Sequence, residues 1–256
     1  MSTTQDIGGI LESWEYDPEH NYRRIVGDDG REKIQIRVDN AAFQGVLQME
    51  LDGRPDGRKP FGFDFALDYH RQAQRRYCNA HGSDRGFSLD PEACAQLFDE
   101  SLRVYNRYVF LLQLQDYARV IRDTERNMQL FRFVHHYAAR EADRSNLERW
   151  WPYILRVHGS ARAMRTLEEE RDHEQALRIV AETRRKIADL EPLDFEEFHL
   201  ERERSLKALR ELEETILATR PPTEKDRLEL ELTRAVAEER FEEAARLRDR
   251  LRSLEE

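Results

Sequence analysis

Hydrophobic positions follow two different periods along the chain, and the period changes near residue 62. Before that point, three short runs alternate between apolar and polar residues, at 22–26, 33–38 and 45–51. Alternation at every second position is typical of strands with one buried face. The pattern assigns six residues to that face: Ile34, Ile36 and Val38 in the second run and Leu47, Met49 and Leu51 in the third.

Turn residues separate these runs. The tetrapeptide GDDG at 27–30 joins the first two, because Asp-Gly accepts the positive φ of a hairpin turn. The stretch DGRPDGRKPFG at 52–62 then ends the sheet. We therefore predict a small antiparallel meander. Since so few strands are marginally stable alone, we expect a helix to cover one of its faces.

From Asp64 onward the apolar period becomes helical. The first helical stripe would bury Phe65, Leu67, Tyr69 and Tyr77. Asp90 followed by Pro91 predicts the start of a second helix, as an N-cap and a first-turn proline. Its apolar positions at helical spacing are Ala93, Leu97, Leu102, Tyr105, Val109 and Leu112.

Further helical patterns follow, and prolines mark the clearest boundary. In ATRPPTEKD, at 218–226, two prolines end one helix, and Thr223 with Asp226 three residues later predicts the N-cap of the next. The predicted fold class is mainly α with a small N-terminal β-meander, α+β overall. The predicted domains are the meander region at 1–62, a helical domain at 63–220 and a helical hairpin at 221–256.

One six-residue pattern occurs three times, beginning at Asp116, Asp172 and Arg240. Each copy has a polar residue, a ring, two mostly polar residues and then two small or aliphatic ones. We interpret the copies as the joints of antiparallel helix pairs, in which the ring packs at the turn. The pairs weakly resemble tetratricopeptide-type pairs, but the copies are too unevenly spaced for a regular solenoid.

Composition narrows the class of protein. The chain has 256 residues and a net charge of -10, with 37% charged and 39% hydrophobic residues. Aromatic residues through the middle favour a folded core over disorder. The acidic balance disfavours a large nucleic-acid footprint. Without an apolar run long enough to span a membrane, or a signal-peptide pattern, we expect a cytoplasmic protein.

Candidate chemistry is sparse. Cys78, His81, Cys94 and His70 offer too few convergent pairs for a zinc site, so no metal is expected. His135 and His136 are adjacent on a predicted helix and cannot share one ligand face. The phosphate-loop, nucleophile-elbow and dinucleotide-binding motifs are absent. We therefore expect no cofactor and no enzyme, although an unrecognised site stays open as an alternative.

Basic residues gather in and after the long loop. The candidates for anion or nucleic-acid contact are Arg54, Arg58, Lys59, Arg71, Arg75 and Arg76. Backbone amides and arginines in a turn-rich loop can hold an anion. The alternative interpretation is a solvated connection whose glycines and prolines serve only the turns.

The C-terminal segment has the strongest pattern. Its first stripe contains Leu228, Leu232, Ala235 and Val236, and its second contains Phe241, Ala244, Ala245, Arg248, Leu251 and Leu254. Each predicted helix is too short to be stable alone, so the two should pair as a hairpin with small residues at the contact. A hairpin leaves apolar surface uncovered, which suits a partner. The docking of this hairpin on the chain's own helices is the alternative.

This segment resembles the UVR motif, the helical hairpin of UvrB- and UvrC-type proteins, over about the last 30 residues. The residues that carry the resemblance are Ala235, Glu239, Phe241, Glu242, Ala244, Ala245, Leu247, Arg248, Asp249 and Leu254. In that family the hairpin is a protein–protein module, which joins the UvrB and UvrC excision-repair proteins. It also occurs in activators of protein-arginine kinases and Clp proteases.

The resemblance implies a set of partner-binding residues here: Leu232, Ala235, Val236, Phe241, Glu242, Ala244, Ala245, Arg248, Asp249 and Leu251. Helicase, nuclease and zinc-binding motifs of the family's larger members are absent. The segment GVLQMELDGRPDGRKPFGF also resembles the N-terminal region of uncharacterised bacterial proteins with a C-terminal UVR motif.

Together these patterns predict a bacterial adaptor whose hairpin docks on another UVR-type helix pair or on a second copy of itself. The competing hypothesis is an accessory protein of excision repair that uses the basic residues.

Overall fold

Three strands form at the N-terminal end where the alternation predicts them. The structure is a computed structural model that describes residues 6–40, 42–222 and 224–253. The strands are β1 (Tyr22–Val26), β2 (Glu32–Asn40) and β3 (Phe43–Glu50), and they pair antiparallel in the order β1-β2-β3. Gly30 takes a φ of 73° in the turn between β1 and β2. The predicted meander is therefore confirmed.

The rest of the described chain is mainly helical, which confirms the predicted fold class. The helices are α1 (Gly8–Glu12), α2 (Ala66–His81), α3 (Pro91–Gln113), α4 (Tyr117–Tyr137), α5 (Glu141–Asn146), α6 (Trp151–Glu169), α7 (His173–Ala188), α8 (Glu196–Thr219), α9 (Glu224–Ala237) and α10 (Phe241–Ser253). Short 3-10 turns lie at Pro60–Gly62 and Glu148–Trp150. No helix among the described residues is both long and apolar enough to cross a membrane.

The chain divides into two contact units, Met1–Leu212 and Glu213–Glu256, and the division falls within α8. The domain limits expected from the sequence stay predictions. Thr223, the predicted N-cap of α9, lies outside the described residues. Its predicted capping partner Asp226 accepts hydrogen bonds from Arg220 Nη2, at 3.0 and 2.8 Å.

Helices cover one face of the sheet, as expected. Ile34, Ile36 and Leu51 are buried in one core with side chains of α3, α4 and α6. The expectation for Leu47 is wrong, because this side chain is 60% exposed. Register places it opposite Ile36 on the same face. However, β3 is an edge strand, and the helical layer does not cover this position.

The opposite face of the sheet is covered as well, which the alternation does not indicate. Gln35 and Arg37 are both buried. Arg37 Nη1 donates to the carbonyl of Leu11 at 2.7 Å, and Arg23 donates to Gln35 Oε1 while its guanidinium lies 4.1 Å from the Trp14 ring centre. The segment before β1 therefore closes this face through hydrogen bonds of polar side chains.

The buried face of α3 differs from the predicted one. Asp90 is its N-cap, as predicted, and accepts from the Ala93 N–H at 2.8 Å. Yet Leu102 and Tyr105 are exposed. The buried face instead combines apolar residues with polar ones: Cys94, Leu97, Glu100, Ser101, Val104, Arg107, Tyr108 and Leu111. A polar residue with a buried partner cannot be distinguished from a surface residue by hydropathy alone.

Glu100 shows what such a residue does. It is fully buried and accepts from the N–H groups of Ala66 and Leu67, at 2.5 and 3.1 Å. Phe65, at the N-cap position of α2, offers no capping side chain. Glu100 therefore caps α2 from another helix, and its negative charge lies at the positive end of that helix. Burial nevertheless raises the pKa of its carboxyl group.

The repeated six-residue pattern marks three joints between paired helices: α3 with α4, α6 with α7, and α9 with α10. The residue before each copy is left-handed, with φ of 56° at Gln115, 57° at Arg171 and 56° at Glu239. At the first and third joints the backbone bonds also correspond. Asp116 N donates to Leu111 O at 2.9 Å, and Arg240 N donates to Ala235 O at 2.8 Å.

Candidate interaction surface of the C-terminal hairpin

Small residues bring α9 and α10 together. Leu228, Ala235 and Ala244 are buried, and three leucines at neighbouring helical positions are half-buried: Leu232, Leu247 and Leu251. Alanine at the contact allows two short helices to pack closely. The buried alanines therefore define the line along which the two helices meet.

The turn between the helices is tight. Glu239 has a left-handed backbone, which reverses the chain within three residues, and Arg240 begins the return. Ion pairs surround the turn. Glu238 accepts from Arg234 Nε at 2.9 Å and lies 2.8 Å from Arg240 Nη2. The hydrogen bond from Arg234 lowers the pKa of Glu238, and the nearby charge of Arg240 adds to this effect.

One side of the hairpin is charged. Each helical residue turns about 100° from the previous one. Because the helices are antiparallel, an equal rotation from each buried alanine leads to the same side of the pair. Arg234 and Glu243, each one residue before a buried alanine, therefore share a side. We define the ion-pair face as Arg234, Glu238, Arg240, Glu243 and Arg250.

Most charges on this face have partners within the hairpin. Arg240 pairs with both Glu238 and Glu243, and Arg250 lies 2.7 Å from Glu224. These pairs are largely exposed, so each contributes little to stability. Because of these pairs, the charged side chains of this face already have partners of opposite charge within the hairpin.

Exposed apolar residues lie on the opposite side. Val236 and Ala245, each one residue after a buried alanine, share this side by the same rotation. Val236 is 47% exposed, and Phe241, one helical turn before Ala245, is 68% exposed. We define the docking face as Leu232, Val236, Phe241, Ala245 and Arg248. Among the described residues, no carboxylate pairs with Arg248.

The structure separates the ten partner-binding residues expected from the resemblance. Five form the docking face. Ala235, Ala244 and Leu251 instead belong to the contact between the two helices. Glu242 and Asp249 are exposed, and helical rotation directs them away from α9. Leu254, a residue that carries the resemblance, lies outside the described residues.

Phe241 corrects one expectation. The six-residue pattern predicts that its ring packs at the turn, but the ring is mostly exposed. At the equivalent position of the first joint, Tyr117 is buried among side chains of α4 and α6. The difference arises because a third helix covers the first joint, whereas no described residue covers Phe241 to that extent. Leu230, 72% exposed on the outer side of α9, is an apolar residue that the motif did not single out.

The basic loop residues are partly neutralised. Arg54 Nη2 donates to Asp99 at 2.9 Å and its Nε lies 3.0 Å from Asp56, so this guanidinium already has anionic partners. Lys59 lies 2.8 Å from Asp64. Arg58 is exposed on the same loop. The loop thus offers less free positive charge than its sequence suggests.

The basic residues of α2 have a different environment. Arg71 is half-buried and donates to Gln129 Oε1 at 3.0 Å. Burial lowers its pKa. Arg75 and Arg76 are exposed. Arg75 and Arg76, together with Arg58 on the loop, are therefore the arginines of this basic set that stay available to solvent.

The cysteines and histidines lie apart. Among the described residues no group of three or more His, Cys, Asp or Glu side chains could hold a metal ion. Cys94 is buried, which raises the pKa of its thiol to about 11. Buried His70 has a lowered pKa and lies 3.2 Å from Gln96 Oε1. His135 and His136 lie near different carboxylates, those of Glu148 and Asp84.

Comparison with known proteins gives a match to the hairpin. Searches of curated proteins and of solved structures returned no match to the chain. One family model matches residues 223–256, the stretch that contains both helices and the turn. This chain therefore carries, at its C-terminal end, the UvrB/uvrC motif, UVR.

Proposed function

We propose that this protein is a non-enzymatic adaptor whose docking face binds a helix pair of a partner protein. The observation that carries the proposal is the exposure of Val236 and Phe241 on one side of a hairpin whose other side satisfies its own charges. The UVR match to residues 223–256 adds support, because the motif is a protein-interaction module in excision-repair proteins.

The exposed apolar side chains are sufficient to anchor a small interface. Full burial of a Phe or Val side chain stabilises by about 1.5–3 kcal/mol each, so two such residues can anchor a small interface. Arg248 lies beside them without a carboxylate among the described residues. We expect the partner to place an acidic side chain opposite Arg248, which would fix the orientation of docking.

Two partners fit this chemistry. A UVR-type helix pair of another protein and a second copy of this hairpin would bury the same face. A DNA-linked role receives less support, because Arg54 and Lys59 already have carboxylate partners.

The test compares two variants of the full chain. Val236→Ala/Phe241→Ala removes apolar surface from the docking face, and Leu230→Ala removes it from the outer side of α9. Affinity purification with quantitative mass spectrometry should show at least a tenfold loss of a partner in the first variant and none in the second. Mixing two differently tagged copies tests self-association. Equal recovery of every partner with both variants would refute the proposal.

A further inference from the structure

A cavity of about 390 Å³ lies in the helical part of the first contact unit, well separated in sequence from the hairpin. Its walls come from α3, α4, α6, the segment around Asn146 and the start of α8. Six of the lining side chains are aromatic: Phe98, Tyr105, Tyr108, Phe131, Trp150 and Tyr153. Cavities of this size with mainly apolar walls are typical of small-molecule sites.

Exposure distinguishes a mouth from a floor. Leu102 is 58% exposed and Trp150 is 39% exposed, so these two side chains border solvent. Tyr108 and Ile154 are buried and lie at the closed end. The cavity therefore opens to solvent and is not a void sealed inside the core.

The floor holds one polar group whose hydrogen bonds are incomplete. Asn127 is buried and donates through Nδ2 to the carbonyl of Ser101 at 3.0 Å. That bond fixes the orientation of the amide, so the other end is the oxygen. Asn127 Oδ1 is buried and accepts no hydrogen bond from the described residues. A buried acceptor without a donor is costly, and a bound donor would remove that cost.

The walls carry little charge. Burial raises the pKa of both Tyr108 and Tyr153, so these phenols stay neutral at physiological pH. Glu201 is the one acidic residue among the lining residues, and Arg204 Nη1 donates to it at 3.2 Å. No lysine or arginine lines the cavity. An anionic ligand would thus find no counter-charge inside.

We infer that this cavity binds a small uncharged aromatic compound that carries a hydrogen-bond donor. Its ring would lie between Tyr105, Tyr153 and Trp150, and its N–H or O–H group would approach Asn127 Oδ1. Aromatic side chains at ring-centre distances of 5.5 and 5.7 Å, from Tyr105 to Tyr108 and to Tyr153, already form such a wall. Edge-to-face and offset contacts with a further ring are favourable in this geometry.

Three probes test the chemistry on the full-length protein by ligand-observed NMR and calorimetry. Indole has a ring and an N–H donor, 1-methylindole lacks the donor, and indole-3-acetate is an anion. We expect indole to bind, with at least fivefold weaker binding for each of the other two. Absence of indole binding up to millimolar concentration, or equal binding of all three probes, would overturn the inference.

Two tryptophan variants locate the site. Leu102→Trp fills the mouth, whereas Leu230→Trp adds the same side chain at a more exposed position of the hairpin, at a residue that does not line the cavity. Both replaced leucines are exposed, so both variants should fold, and circular dichroism checks this. Indole binding should fall at least fivefold in the first variant and stay unchanged in the second. An equal loss of indole binding in both variants would contradict the assignment of the site. Binding of a Trp-containing peptide by a protein that does not bind indole would also contradict it.

Discussion

Arg107 and Asp123 form a fork-to-fork ion pair in the interior of the protein. Arg107 donates from Nε and Nη2 to the two carboxylate oxygens of Asp123, at 2.6 and 2.8 Å, and both residues are buried. The third nitrogen, Nη1, donates to the carbonyls of Gly53 and Glu50, at 2.6 and 3.1 Å. This one guanidinium therefore connects α3, α4 and the loop that follows β3.

Replacement of Arg107 should be strongly destabilising. Arg107→Met leaves Asp123 buried with only Arg122 Nε, at 3.0 Å, as a charged donor. Loss of one partner of a buried pair costs about 3–5 kcal/mol, because the other charge stays desolvated. Urea unfolding followed by circular dichroism measures the change.

The matched control is Arg103→Met on the same helix. Arg103 pairs with Asp99 at 2.7 Å, but both side chains are substantially exposed, so a loss below about 1 kcal/mol is expected. Arg107→Met/Asp123→Leu should recover part of the stability. Equal losses for Arg103→Met and Arg107→Met would show that the buried pair has no special weight.

Gly159 sets the distance between α6 and α7. A Cβ atom at this position would lie 2.2 Å from Thr183 Oγ1 and 2.8 Å from Thr183 Cβ. Gly159→Ala should therefore push the helices apart and cost about 1–3 kcal/mol. Thermal unfolding measures the loss.

A second substitution tests this cause. Because Thr183 Cβ itself is too close, Gly159→Ala/Thr183→Gly should relieve the clash more completely than Gly159→Ala/Thr183→Ala. Each Thr183 substitution is also made alone, and its effect on the unfolding temperature is subtracted from that of the double variant. If neither corrected double variant then unfolds at a higher temperature than Gly159→Ala, contact with Thr183 is not the cause of the destabilisation.

His158 should make stability fall under mildly acidic conditions. Its Nδ1 lies 2.9 Å from Thr124 Oγ1, and burial, with the positive charges of Arg162 and Lys186, lowers its pKa from 6.5 to about 4. The folded state thus binds this proton less readily than the unfolded state. The contribution of neutral His158 to the free energy of unfolding is complete above pH 6.5. This contribution is lost as the pH falls from 6.5 toward 4.

We expect this group to contribute about 1–2 kcal/mol between pH 7 and pH 4.5, since partial exposure weakens the effect. The measurement is the urea midpoint at both pH values for the natural chain and for His158→Gln. The natural chain should lose more stability on acidification. Identical pH dependence in both chains would assign the acid sensitivity to other groups.

Glycine at the helix joints should stabilise them. Gln115 and Glu239 have left-handed backbone conformations, which cost little for Gly and more for other residues. Gln115→Gly and Glu239→Gly should each raise stability by about 0.5–1 kcal/mol, because relief of about 1–2 kcal/mol of left-handed strain exceeds the entropy that glycine adds to the unfolded chain. Glu229→Gly, exposed within α9, should instead lower it by about 1 kcal/mol. Unfolding of each variant by urea distinguishes the signs, and destabilisation by Glu239→Gly would contradict the argument.

Local patterns predicted the local features of the fold. The strand at 22–26, the Asp90 cap and the joints before Asp116, Asp172 and Arg240 all depend on residues close in sequence. The buried face of α3 could not be predicted in this way. Glu100 and Arg107 have partners far away in sequence, and without those partners hydropathy assigns them to solvent.

The hairpin surface and the aromatic cavity also differ in how far local sequence predicts them. The hairpin and five of its docking residues follow from a motif confined to one stretch of sequence. The exposure of Phe241 does not, because it depends on whether a third helix is present. The aromatic cavity was missed because its walls come from five separated segments, and Asn127 becomes notable only once its oxygen is seen to lack a donor.

The backbone hydrogen bonds that correspond at the first and third joints explain why the ring of Phe241 can be compared with that of Tyr117. Leu111 with Asp116 and Ala235 with Arg240 make the same turn, and the ring that follows is Tyr117 in one case and Phe241 in the other. Val157 and Ala161 of α6 share a core with Tyr117. Among the described residues, no helix covers Phe241 as α6 covers Tyr117, so a partner that laid a helix across this ring would give the third joint the three-helix packing of the first.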